Sequence, residues 1–106
     1  MAKYLVAASY TAEGAKGVLK DGGTKRRQAA EQAVKSAGGK LEAFYFAFGE
    51  NDAYVIIDAP DHATVASASL AINASGAVHT KTVVLITPEE IDQATKKGAT
   101  YLAPGR

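Results

Sequence analysis

The chain has 106 residues, 47% of them apolar, which suits one domain with a real core. It holds no cysteine, which excludes disulfides, thiolate catalysis, zinc–thiolate sites and cysteine-held iron–sulfur clusters. The formal net charge of +1 argues against nucleic acid or an anionic membrane as partner. The composition and the lack of a membrane-spanning apolar run lead us to expect a cytoplasmic protein.

Residues 3–10 are a β-rich apolar run and read as the first strand. Thr11 is placed to cap a helix from Ala12 to about Lys20, with Ala12, Ala15, Val18 and Leu19 at helical spacing. Gly14 and Gly17 weaken that helix by roughly 1 kcal/mol each relative to alanine, so we expect a close backbone approach or an irregular turn there. Asp21-Gly22-Gly23 breaks it, and Thr24 is expected to cap a second helix over 25–37, which Gly38-Gly39 ends.

Residues 40–48 form the next strand, Gly49-Glu50-Asn51-Asp52 a turn, and Ala53 to Ala59 its hairpin partner. Asp61 caps a helix from His62 to Ala74, with Val65, Ser69 and Ile72 on one line and Ala66, Leu70 and Ala74 on the next. Gly76 stops it, and residues 77–87 are the fourth strand. Thr87-Pro88-Glu89-Glu90 opens a last short helix with a capping box. The domain therefore covers 1–98, and 99–106 is an extended tail. Strand, helix, strand, strand, helix, strand is the order of a ferredoxin-like α+β sandwich.

Strand residues alternate sides. In the second strand Phe44, Phe46 and Phe48 fall on one side, and Leu41, Ala43, Tyr45 and Ala47 on the other. The fourth strand sets Val78, Thr80, Thr82, Val84 and Ile86 against His79, Val83 and Leu85. Neither side is polar enough to face water, so both need cover. Helices cover one; a second copy of the chain is expected on the other.

Ser9-Tyr10-Thr11, Glu13-Gly14, Lys16-Gly17, Gly22-Gly23, Gly38-Gly39-Lys40 and Tyr45 with Gly49-Glu50-Asn51-Asp52 together resemble the GYD-domain family, over about residues 3–90. Asn51 stands where the family's turn has tyrosine. The resemblance implies a dimeric α+β barrel relative and no assigned activity. Related barrels include cofactor-free monooxygenases, haem-handling proteins and ligand-binding regulators; that kinship is one of fold alone.

Candidate chemistry is sparse. His79, on a mostly apolar strand, is a candidate proton shuttle or ligand contact, or a structural histidine. His62, in the first turn of a helix, is expected to be solvated. The two histidines have no metal-ligand spacing, so no metal is expected, and no cofactor. Asp52 either braces the hairpin turn or acts in a pocket. Lys16, Arg26 and Arg27 lie among glycines that let a backbone approach an anion, without any strict phosphate motif. Tyr10 and Tyr45 could line a cavity with Asn73, Ser75 and Thr80; Tyr54 is a third strand tyrosine. The aromatic run 40–48 lacks the glycine-containing opening of an RNA-binding strand.

Three readings follow. One is a homo-oligomer that binds a small anionic or aromatic molecule between sheet and helices, through Tyr10, Lys16, Arg26, Tyr45, Asn73 and His79. Another is a cofactor-independent monooxygenase-like enzyme using His79, Asn73 and Tyr45. The third is an oligomerisation module whose tail, 99–106, reaches a neighbour.

Overall fold

The computed structural model describes residues 1–106. In chain order it runs β1 (Ala2–Tyr10), α1 (Ala12–Asp21), α2 (Gly23–Ser36), β2 (Lys40–Phe46), β3 (Ala53–Ala59), α3 (His62–Ala74), β4 (Val78–Leu85) and α4 (Pro88–Lys96). The four strands form one antiparallel sheet in the order β2-β3-β1-β4. This is the α+β, ferredoxin-like arrangement that the element order predicts, with the first helical connection split into α1 and α2 and with α4 appended.

Alternation along the two central strands decides which face is covered. Tyr4, Val6 and Ala8 of β1 and Ala53, Val55, Ile57 and Ala59 of β3 are buried, and Val34 of α2 and Val65 of α3 pack against them. Register places Lys3, Leu5, Ala7 and Ser9 on the opposite face. Tyr4 is only 2% exposed, so its hydroxyl needs a partner; it lies 2.7 Å from His62 Nδ1. His62 is exposed, as its place in the first helical turn predicts, and its ring also meets the hydroxyl of the buried Tyr4. The two residues are 58 positions apart, and no local pattern joins them.

Several expectations change. β2 carries a bulge between Leu41 and Ala43, which turns Leu41 to the same side as Phe44, against the core. The strand ends at Phe46, and Phe48 is fully exposed. Thr24 does not cap α2: only Gly22 separates the two helices, its φ of 80° turns the chain, and Thr24 already lies in the first turn. On α3, Val65 and Ala68 are buried while Leu70 is 72% exposed, so the Leu70 line faces water.

On α1 the apolar set is not the buried set. Ala12, Ala15 and Leu19 are exposed, and Gly14 is the buried residue. A Cβ at Gly14 would stand 2.0 Å from the Ala77 carbonyl oxygen, so α1 docks where glycine lets it touch the start of β4. Thr11 fastens the same corner: its amide donates to the Ala77 carbonyl and its hydroxyl to that of Gly76. Gly17 has nothing within 4 Å of a notional Cβ.

The chain measures 57 × 32 × 22 Å, with a radius of gyration of 16.9 Å, against about 13 Å for a rounded domain of this length. α4 buries no residue, and Tyr101 and Leu102 are 82% and 75% exposed. The C-terminal segment accounts for the elongation. No helix is long and apolar enough to cross a membrane.

The two glycines of α1 give opposed predictions. Gly14→Ala should destabilise the fold by about 1–3 kcal/mol, because the Ala77 carbonyl must move. Gly17→Ala should stabilise it by about 0.5–1 kcal/mol, through the unfolded chain. Urea denaturation of both variants decides it; equal shifts would remove the close approach as the reason for Gly14.

Candidate functional site

Helix α2 turns Arg26, Ala29, Ala30, Ala33 and Val34 towards the sheet, the i, i+3, i+4, i+7, i+8 spacing of one face. α3 does the same with Val65, Ala68, Ser69 and Ile72. Most of these side chains are small. They cannot fill the space above Val6, Ala8, Val55 and Phe44, and a cavity of about 240 Å³ remains. Ala29 and Ser75 in its wall are exposed, so the space is a cleft that opens to solvent between the helices and the sheet rather than a sealed void.

The cavity has a polar end and an apolar end. Tyr10 closes β1 and sits diagonally across from Thr80 on β4, and Ser75 follows α3; all three line the cavity with Arg26. Val34, Ile57 and Val65 line its far end. Arg26 and Val34 lie two helical turns apart, about 12 Å. Arg26 is the one charged residue among nineteen that line the space. It is partly buried, and no carboxylate lies within 4 Å of its guanidinium; the ion pairs of the chain are Lys3 with Glu42 and with Asp58.

Burial raises the Tyr10 phenol above its ordinary value. The adjacent Arg26 guanidinium opposes this, while the Asp52 carboxylate adds to it. Tyr10 also stacks on Phe46 with centroids 6.5 Å apart, and Phe46 meets Phe44 edge-on at 5.1 Å. An aromatic wall therefore runs beside the polar end.

The other candidates separate. Asn73 donates to the Ser69 carbonyl at 2.6 Å and to Thr80 Oγ1 at 2.8 Å, and accepts the Thr80 amide at 3.1 Å. Its amide is committed to joining α3 to β4 and aiming Thr80. Asp52 accepts the Tyr10 amide at 2.8 Å, and its own amide donates to the Ala8 carbonyl, so it braces the hairpin against β1. Asn51 bridges Ser9 Oγ and Tyr54 Oη at 3.3 and 3.2 Å. Lys16 is exposed on α1 and does not line the cavity. Tyr45 and His79 lie on the opposite sheet face, where Tyr45 pairs with Tyr54 and His79 with Ser9. The grouping of Tyr45 and His79 with Tyr10 and Asn73 around one cavity is therefore corrected.

That outer face is ordered in rows. Ala43, Ile56, Leu5 and Val83 stand side by side across all four strands. Tyr45, Tyr54, Ala7 and Lys81 form the next row. On the other flank Lys3 binds Glu42 at 2.7 Å and Asp58 at 2.9 Å, and these two bonds, Glu42 first, raise the Lys3 ammonium above its ordinary range.

Tyr10, Arg26, Ser75 and Thr80, singled out from sequence, all line this space; the room that the alanine faces leave was not expected. The signal was present: a helix that offers Ala29, Ala30 and Ala33 to a sheet leaves a gap unless the strands answer with large residues, and opposite it stand Ala8 and Ala53.

The phenol gives a direct check. Below the unfolded value of 10.0 both states keep the proton and stability is complete; as pH rises the unfolded chain ionises first, so stability falls until the folded phenol follows. Ultraviolet titration, with Tyr10→Phe as the assignment, should find Tyr10 ionising above the ordinary value. Arg26→Gln should raise it further. An unchanged value in that variant would show that Arg26 does not act on the phenol.

The model of the GYD domain family matches residues 4–95, and the chain belongs to that family. No curated protein and no solved structure matches it.

Proposed function

We propose that this GYD-domain protein is a homo-oligomer that binds a small molecule in the cavity between its sheet and helices α2 and α3. The observation that carries this is the cavity itself: about 240 Å³ of apolar-walled space with a few polar groups gathered at one end. A molecule that fills it covers apolar wall and stabilises the folded chain by mass action.

The outer face supports association. A row of Ala43, Ile56, Leu5 and Val83 crosses the sheet, with Val83 55%, Tyr45 72% and Tyr54 38% exposed. A second copy laid on it would cover apolar surface that one chain leaves to water. Cysteine-free composition is compatible with a reducing compartment, the cytoplasm.

Two experiments test the two halves. Indole, a neutral apolar probe, should bind the wild-type protein by NMR titration and fail to bind Ala33→Leu, whose added carbons occupy the space. That variant should keep its stability or gain up to about 2 kcal/mol. Unchanged indole binding in Ala33→Leu would remove the cavity as the site. Sedimentation should find the wild type as a dimer or larger, and Ile56→Lys as a folded monomer, because a lysine in the apolar row would be buried without a counter-charge. A monomeric wild type would end the association half.

A further inference from the structure

We infer that the cavity takes a monocarboxylic acid with a compact apolar body, its carboxylate held by Arg26 and Tyr10 and its body lying towards Val34, Ile57 and Val65. This deepens the cavity-binding reading and rests on it. The first argument is charge. Arg26 places one partly buried guanidinium in the wall of an otherwise uncharged space, with no protein carboxylate within 4 Å to neutralise it. A planar guanidinium matches a carboxylate with two parallel hydrogen bonds, and a burial cost already met makes the match stronger than in water.

The second argument is donor direction. The Tyr10 hydroxyl stays protonated at neutral pH and can donate to the same anion. Thr80 Oγ1 already accepts from Asn73 Nδ2, so its own proton is free to donate into the cavity it lines. Asn73 is thus a positioning residue. Asp52, the nearest acid to Tyr10, is engaged by the Tyr10 amide and does not line the space.

The third argument is count and size. One cation suits one negative charge; a phosphate dianion would find no second cation in the wall. Cavities of about 150 Å³ lined by apolar side chains hold benzene, so 240 Å³ holds a ring with a short acid arm.

The test compares 3-phenylpropanoate with 3-phenylpropanamide, which has the same shape and no charge, by calorimetric or NMR titration of the full chain. The acid should bind the wild type roughly tenfold or more tighter than the amide. Arg26→Gln should bring the two affinities together by weakening the acid alone, and Arg26→Lys should restore part of the preference. Equal binding of acid and amide to the wild type would leave the cavity reading standing and overturn the carboxylate. Acid preference that survives in Arg26→Gln would overturn the assignment to Arg26. No binding of either probe, together with no binding of indole, would remove the cavity reading and this inference with it.

Discussion

Alanine on one face of α2 sets the terms for the rest of the molecule. A helix lies on a sheet at a distance fixed by the side chains between them, and here the closest approaches are set elsewhere. Val34 at one end of α2 and Gly23 at the other meet the sheet side: Val34 is buried in the core, and a Cβ at Gly23 would lie 3.0 Å from the Phe46 ring. Between these two supports Ala29, Ala30 and Ala33 span a gap they are too short to close. α3 is held near one end by Val65 in the core and near the other by Asn73, which is bonded to Thr80. The cavity is therefore not a packing fault at one residue. It is what two helices with small central residues leave when their ends are held.

The same sheet does different work on its two faces, and the parity of β1 keeps the two apart. Val6 and Ala8 floor the cavity, while Leu5 and Ala7 lie in the outer rows. Neighbouring residues thus serve opposite faces, one the floor of the cavity and one the outer rows of the sheet. A ligand inside and a partner outside would each stabilise the folded chain by mass action, with no change of shape needed to couple them. The strong local ties at the polar end, Asp52 to the Tyr10 amide and Asn73 to Thr80, hold that end of the sheet in register for both.

Much of the fold was legible because it is encoded locally. Thr11 and Asp61 cap as their positions predict, accepting from the amides of Gly14 and Thr64, and the hairpin turns at Gly49-Glu50-Asn51-Asp52. The close approach expected from glycine in α1 is real at Gly14 and absent at Gly17; spacing could not tell them apart, because the carbonyl that decides it belongs to Ala77, more than sixty residues away. Strand parity was legible too, and it put His79 with Val83 and Leu85. What parity within a strand does not supply is which side the helices cover. That depends on register between strands, Tyr10 opposite Val78 and Tyr45 opposite Tyr54, and on the bulge that reverses Leu41. So Tyr10 and Arg26, which the sequence sets in different groups, meet at one cavity, while Tyr45 and His79 lie on the other side of the sheet.

The C-terminal segment shows local encoding at its purest. α4 buries nothing, and a nine-residue helix alone in water is marginal. Its stability must come from its own ends. Thr87 and Glu90 exchange hydrogen bonds across the first turn, and the Thr87 amide and hydroxyl together hold the Glu90 carboxyl below its ordinary range. Pro88 is fixed near helical geometry before the helix forms; Glu89 and Glu90 face the positive end of the dipole and Lys96 the negative end. These end signals all lie within a few residues of the helix, which is why sequence alone located it. Its apolar residue Ile91 is 49% exposed, and Ile86 before it is 59% exposed. Order without burial leaves these side chains available, whereas the core helices spend theirs on the sheet. The chain thus separates into a body whose side chains are spent on distant partners and an arm whose apolar side chains stay exposed.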